Sequence, residues 1–466
     1  MLRRFTTMSL LAILLVVLLS ACGTTAPAEV APAEEAPAAE APAEEAAEPV
    51  EMVFWFSGTD KKVAFMQAAV DEYNEHQDNV QITMVETPDS KERIGTALVA
   101  GEGPDIMRYN HNLPWYWGIE SVYPLNDFVN DPEIGIDPGL LFPAAREMVQ
   151  YAGIVQAIPI NVCPGGLFYN REIFAEAGLT DEDAPETWEE VEALAVQLAQ
   201  KEGDDVTRWG LVNGSKDWML QEILLSNGGD WVNDDLTAYV DKPENLVEGL
   251  EWWSSLHNEL VVMPIPTGVT WAGVESLQQG SEAFIRGDAA MSGFSGLCGA
   301  AKILDANPDL DIGGVLSPLG PSSGGIRTVS PGFGGLFVMA DAVDPREGYL
   351  FAKWFLEEKA GDYALVSPGS IPSTTAALEN PKIQEDSILG FGKVLEDMEK
   401  AELRTFHVFP GRLDVRSEEP ALAELVLLEQ ATAQEAVDAF LEHATEVFKL
   451  YETDLDEFRT NHQIVW

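Results

Sequence analysis

The spacing of apolar residues changes several times along the chain, and each change marks an element. Met52–Gly58 ("MVFWFSG") is an apolar run that ends in small residues, which predicts a buried strand and its turn. Val63, Met66, Ala69, Val70 and Tyr73 fall on one face of a 3.6-residue period, so the segment between them is an amphipathic helix. Val80–Thr87 alternates apolar and polar, as a half-buried strand does. "KERIGTALVAGEG" is helical and stops at Gly101, and Pro104–Asn110 reads as a third strand. The order β-α-β-α-β predicts an α/β protein with a mostly parallel sheet.

Farther along, Val122–Val129 and Gly153–Leu179 supply more apolar segments, and a second α/β set follows. Thr187 opens a strong helix with Glu190 three positions on, the spacing of a capping box. Gly280–Gly296 reads as helix, glycine turn and strand. Arg346–Gly361 is amphipathic, and the chain is helical from Glu418 to near its end. At 466 residues the chain exceeds what one core comfortably holds, which argues for two lobes. No 20–50-residue repeat is present, and no apolar stretch after Leu19 is long enough to cross a membrane.

The N-terminus has a different composition. Arg3 and Arg4 precede an unbroken apolar run, Leu10–Leu19, and then Leu19-Ser20-Ala21-Cys22. This resembles a bacterial lipobox, with residues 1–21 as signal peptide and Cys22 as the thiol that takes the lipid. From Gly23 to Glu51 the chain is mostly Ala, Pro and Glu, with Pro27, Pro32, Pro37 and Pro42 every five residues. Proline and like charge oppose a helix, so residues 22–51 are expected to be a disordered tether reaching up to ~90 Å. Export and a lipid anchor on the outer face of the cell membrane, or in a periplasm, are the localisation this predicts.

Charge narrows the function classes. The chain carries 27 Lys and Arg against 78 Asp and Glu, a net charge of −51. Such a balance excludes a nucleic-acid partner, and contact with a membrane is expected only through the lipid. It also argues mildly against an anionic ligand unless a local basic pocket overrides it. There is no P-loop, dinucleotide fingerprint, nucleophile elbow or HExxH, and the six histidines are scattered, so neither metal nor cofactor is expected and no residue is marked as catalytic. Asp305–Gly314 resembles a calcium loop only vaguely and lacks its turn glycine; it reads as a solvated acidic loop. Cys163 and Cys298 could pair in an exported protein, or could be small buried residues.

"GEGPDI", "LFYNREIFAEAGL", "APETWEE" and "FIRGDAAM", in this order between the first strand and "FVMADAVDPREGYLFAKWFLEEKAG", resemble the family 1 extracellular solute-binding proteins, the maltose-binding-protein-like receptors of ABC importers. The resemblance covers essentially all of residues 52–466. It implies the type II periplasmic-binding fold: two α/β lobes, a ligand cleft between them and three hinge crossings. The crossings are expected near Asn161–Gly165, Ser330–Gly335 and Ile371–Thr375. Lobe one is then 52–161 with 335–371, and lobe two 166–330 with 375–466. It further implies a monomeric, non-enzymatic receptor that takes a small solute, a mono- or oligosaccharide, to ABC permease subunits. The alternatives are a non-sugar solute such as glycerol phosphate, a polyol or a peptide, an exported carbohydrate-active enzyme, or a polypeptide-binding adhesin.

Sugars are held by aromatic faces against their C–H surfaces and by planar polar groups at their hydroxyls. In this fold such residues come from loops at strand C-terminal ends. The resemblance therefore nominates Ser57, Thr59 and Asp60 after the first strand, then Tyr109, Asn110 and Trp115, with Asp105 a structural hydrogen-bonder below them. In the second lobe it nominates Asp217, Trp218, Trp271, Phe294 and Ser295, with Phe333 at the hinge glycines and Arg412 ahead of the C-terminal helices. Trp188, Trp231, Trp252, Trp253 and Trp354 are expected to be packing residues. Cys163 stands where some relatives place a cleft carboxylate, so the ligand class transfers better than maltose itself.

Overall fold

A computed structural model describes residues 48–466 apart from 88–90, 111–116, 152, 204, 214–215, 234–236, 265–281, 330–331, 379, 386–392, 395–396, 399–401, 404–409 and 462–465. The signal peptide, Cys22 and most of the expected tether lie outside the described residues. The first strand begins two positions earlier than the sequence suggests. β1 spans Val50–Phe56, because Val50 already pairs with Val80 and donates its N–H to the Asn79 carbonyl.

β1, β2 (Val80–Glu86) and β3 (Ile106–Tyr109) are parallel, as the β-α-β-α-β reading requires. The crossover helices are Asp60–His76 and Lys91–Ala100. Met66, Ala69, Val70 and Tyr73 of the first helix are buried, and Met52, Phe54 and Phe56 of β1 are buried with them. β4 (Gln150–Tyr151) and β5 (Ile154–Val155) form a small hairpin leading into β6 (Ile158–Cys163). β6 joins the first sheet through two later strands, β13 (Gly332–Val338) and β14 (Ile371–Pro372), giving the order β14-β6-β13-β3-β1-β2.

The second sheet has the order β11-β7-β10-β9-β8. Its strands are β7 (Gly165–Asn170), β8 (Gln200–Glu202), β9 (Asp205–Asn213), β10 (Ala289–Gly296) and β11 (Ile312–Leu316). A short parallel pair, β12 (Thr328–Val329) with β15 (Glu402–Leu403), lies outside both sheets. Alternation along the strands divides the second sheet between two cores. Phe168, Val212, Ile312 and Leu316 face the core that continues through the first sheet. Leu167, Tyr169, Leu211 and Val315 face a second core built from the helices Trp188–Leu198, Lys216–Ser226, Pro243–Asn258, Glu419–Leu427 and Ala433–Leu450. The Thr187–Glu190 capping box is present, with both reciprocal hydrogen bonds made.

The chain passes from the first sheet to the second at a single residue, Pro164, between β6 and β7. It returns between β11 and β13, and leaves the first sheet again after β14. The segment after β14 first stays with the first core: Ser373 Oγ donates to the Pro159 carbonyl, and Ile383, Val394 and Met398 pack there before the C-terminal helices reach the second core. Trp466 comes back to the first core and donates its indole N–H to the Ile136 carbonyl. Cys163, at the end of β6, is disulfide-bonded to Cys298, just past β10, with their Cα atoms 5.3 Å apart. The open alternative left by the spacing is thereby decided in favour of pairing.

Candidate functional site

The strand ends that meet around the crossings carry the candidate residues. After β1, Ser57 and Thr59 are half-buried and Asp60 is exposed; the Thr59 carbonyl accepts from Val63 N–H and so starts the first helix. After β3, Tyr109 is buried edge-on against Trp117, with ring centroids 5.8 Å apart, and Asn110 is half-buried. Asp105 is the expected structural group beneath them: one carboxylate oxygen accepts from Val53 N–H at 2.7 Å and the other from Val343 N–H at 2.8 Å. These bonds tie β1 to the turn after β13 and leave Asp105 little capacity for a ligand.

On the second sheet, Ser295 is half-buried near the end of β10 and pairs with Gly166. Two expected ligand residues are packing groups instead. Phe294 is fully buried in the second core with its ring edge-to-face on Trp252 at 5.5 Å. A register shift between Ser292 and Ser295, with φ of +53° at Phe294, turns its side chain inward. Arg412 is 1% exposed and committed to Glu419 Oε1 and the Tyr239 hydroxyl, with its guanidinium 5.2 Å from the Trp231 ring centroid. A buried guanidinium held this way organises the helical core and is not available to a solute.

Trp115 and Trp271 lie outside the described residues. Asp217 and Trp218 sit in the first turn of the helix Lys216–Ser226, and Phe333 pairs with Val162 in β13, but the side chains of these three lie outside the description. Trp188, Trp231 and Trp253 are buried, and Trp252 and Trp354 are half-buried, as packing residues should be. Trp188 stacks on Trp252 at 4.5 Å.

Three charged groups near the crossings are not marked by any motif. Glu222 lies in a helix buried on every side, among Met219, Leu220, Ile223 and Leu224. Its Oε2 accepts from Ser317 Oγ at 2.5 Å, while its Oε1 is enclosed with no hydrogen bond among the described residues. Burial pushes this carboxyl up to about 8 against the pull of the Ser317 bond, so it is protonated at neutral pH. The carboxyl also packs where a Gly165 side chain would stand, which is why the first strand past Pro164 opens with a glycine. Arg108, on β3, is 6% exposed. Lys62, in the first turn of the helix Asp60–His76, is held down to about 8 by burial and by the Arg108 and Lys302 charges, with Asp305 opposing. An acid or a cation inside an apolar run ("WMLQEILL", "DIMRY") is the one signal the sequence offered for these groups.

Residues 68–390, more than half of the chain, match the family model described as bacterial extracellular solute-binding protein. The chain belongs to that family. A maltotriose-binding protein of Pyrococcus abyssi is 22% identical to this solute-binding protein over 355 residues, which is 74% of this chain and 72% of that one. An arabinooligosaccharide-binding protein of Halalkalibacterium halodurans is 26% identical over 352 residues, 72% of this chain and 74% of its own. Among solved structures, an ABC substrate-binding protein of Listeria monocytogenes in complex with cycloalternan matches with a TM-score of 0.71. It covers 87% of this chain and 99% of that one at 17% identity. The likeness shows the fold, the two-lobe type II periplasmic-binding architecture. The family is extracellular, which implies export of this solute-binding protein. Among the described residues no helix is long and apolar enough to cross a membrane.

Proposed function

We propose that the chain is the lipid-anchored receptor of an ABC importer, capturing a mono- or oligosaccharide between its lobes and delivering it to the permease. The observation that carries this is the pair of separate sheets between which the chain passes at Pro164, between β11 and β13 and after β14, with the half-buried polar residues Ser57, Thr59, Asn110 and Ser295 at or near the ends of their strands. The maltotriose- and arabinooligosaccharide-binding relatives support sugar as the solute. Lobe one is 52–161 with 335–371 and lobe two 166–330 with 375–466, except that Ile383, Val394, Met398 and Trp466 of the last segment pack on the first core. A sugar that bridges them gains contacts in the closed state that the open state lacks, and so shifts the population towards closure. The receptor works as a monomer, binds without turnover and uses no cofactor. Cys22 carries the lipid, and the Ala/Pro/Glu segment lets the lobes range from the membrane to the permease.

The test is thermal unfolding of a chain starting near Glu48, titrated with saccharides, polyols and short peptides. A saccharide at 100 times its dissociation constant should add ~2.7 kcal/mol to stability, with no product formed. A shift with peptides or polyols alone would remove the sugar assignment. Metabolic labelling with a radioactive fatty acid, lost in Cys22→Ser, checks the anchor.

A further inference from the structure

A carboxyl is sealed in where the chain crosses between the sheets. Glu222 is fully buried, and its carboxyl atoms stand 2.2–2.3 Å from where a Gly165 Cβ would be. Gly165 follows Pro164, the single residue between β6 and β7. Because Gly165 has no side chain, the wall on that side is one backbone thick. Ser317, the first residue after β11, donates its Oγ–H to Glu222 Oε2 at 2.5 Å. The Ser317 N–H donates to the Gly165 carbonyl at 3.2 Å, and the Leu297 N–H to the Pro164 carbonyl at 2.8 Å. The carboxyl therefore touches both the segment by which the chain enters the second sheet and the segment by which it leaves for β13.

Among the described residues no salt bridge reaches Glu222, and its Oε1 has no hydrogen bond. β7, β10, β11 and β12 carry no carboxyl, histidine or cation. The helices packed on that of Glu222, Pro243–Asn258 and Glu419–Leu427, bring Glu244, Glu248, Glu251, His257, Glu419 and Glu424, and its own helix brings Lys216 and Asp217. Arg327, ahead of β12, is engaged through Nη1 with the Leu316 and Ser317 carbonyls. None of these charges registers at Glu222, where burial raises the carboxyl and the Ser317 bond is the opposing pull. A carboxylate cannot stay in such a place without water or a cation. Its helix is held in the second core through Met219, Leu220, Ile223 and Leu224, so the route for water that disturbs least runs past Gly165 and Ser317. We propose that the proton on Glu222 is a latch between the lobes: while it is bound, the carboxyl, Gly165 and Ser317 form one dry block, and when it leaves, water follows the charge, the bonds at the crossing loosen and the lobes swing more widely. The latch stands on the two-lobe fold alone. Taken with the receptor reading, it lowers the fraction of molecules competent to close, so solute capture weakens as pH rises through about 8.

Amide hydrogen exchange and small-angle scattering of the solute-free protein, from pH 6.5 to 9.5, decide this by comparing the parent with Glu222→Gln. Comparison at equal pH cancels the intrinsic pH dependence of exchange and the charge of every other carboxylate. Expected is equal exchange at the Leu297 and Ser317 amides at pH 6.5, and exchange at least about tenfold faster in the parent at pH 9.5. The radius of gyration should grow with pH in the parent and stay constant in the variant. Ser317→Ala removes the opposing pull, so it should carry the transition to higher pH, and it serves in place of Glu222→Gln if that variant does not fold. Exchange that matches in parent and variant at every pH would overturn the latch. So would a difference confined to the amides of the helix Lys216–Ser226, or a radius that does not move. No solute is used, so the latch and the receptor reading fail separately.

Discussion

Replacing Glu222 by Gln isolates the energetic consequence of burying a carboxyl next to the first crossing. The folded-state value of about 8 stands against an ordinary 4.5 in the unfolded chain. Below pH ~4.5 both states are protonated and the group contributes no slope. Between ~4.5 and ~8 the folded state holds a proton that the unfolded state has released, so stability falls as pH rises. Above ~8 both states are ionised and the slope ends. At about 1.4 kcal/mol per pH unit, a difference of roughly 3.5 units amounts to about 5 kcal/mol lost across the window. Gln keeps the shape of the protonated acid, still accepts from Ser317 Oγ and cannot ionise. Urea unfolding of both proteins at pH 4.5, 6, 7.5 and 9 measures the difference directly, and the pH response of the other carboxylates cancels in it. The variant should gain steadily on the parent from pH 4.5 to 8 and level off beyond. Curves that stay parallel within ~0.5 kcal/mol over the whole range would refute the argument, because they would mean that the carboxyl is hydrated or charge-compensated in the folded state.

Cys163→Ser with Cys298→Ser removes a cross-link spanning 135 residues, and the unfolding free energy should drop by up to about 5 kcal/mol in the loop-entropy limit, read from the urea midpoint under oxidising conditions. Gly369→Ala should destabilise by about 2 kcal/mol or more, since φ is +80° there and the added Cβ would overlap the Leu297 carbonyl; an unchanged melting temperature would show that this contact yields freely. Arg412→Met should cost about 3–5 kcal/mol by stranding Glu419, and adding Glu419→Leu should recover most of the loss; a double variant no better than the single one would argue against the pair as the cause.

The sequence carried the fold further than the site. Periodicity alone placed the first three strands and two helices, because each has one buried face and the period follows from the geometry. The capping box at Thr187 was legible because both partners lie within one turn. The first crossing was anticipated to within a few residues, though by resemblance: nothing local distinguishes Pro164 from any other proline between strands. The site failed where side-chain direction depends on distant pairing. Met291 and Phe294 are three positions apart, which puts residues of a regular strand on opposite faces. Both reach the second core because the pairing with β7 slips between them. Arg412 sat in a plausible loop, and only the arrival of Tyr239 and Glu419 makes it a core group. Arg108 escaped notice for the opposite reason, since a strand position in an apolar run suggests burial and gives no hint that its guanidinium would have no carboxylate partner among the described residues.

The Cys163–Cys298 bond sets an order of events in the making of the protein. Cys163 emerges early, and its partner follows 135 residues later, after the whole of β7, β8, β9 and β10. The thiols come together when β10 pairs antiparallel with β7 and Leu297 donates its N–H to the Pro164 carbonyl. Oxidation therefore seals an arrangement that strand pairing has already built, and it can do so only in a compartment that does not reduce thiols. Material made in a reducing cytosol would hold the same two strands side by side with the clasp undone. The redox history of a preparation would then be written into how firmly the two halves of the molecule are held at their pivot, and samples that share a sequence and a mass within two hydrogens could differ in how freely they open.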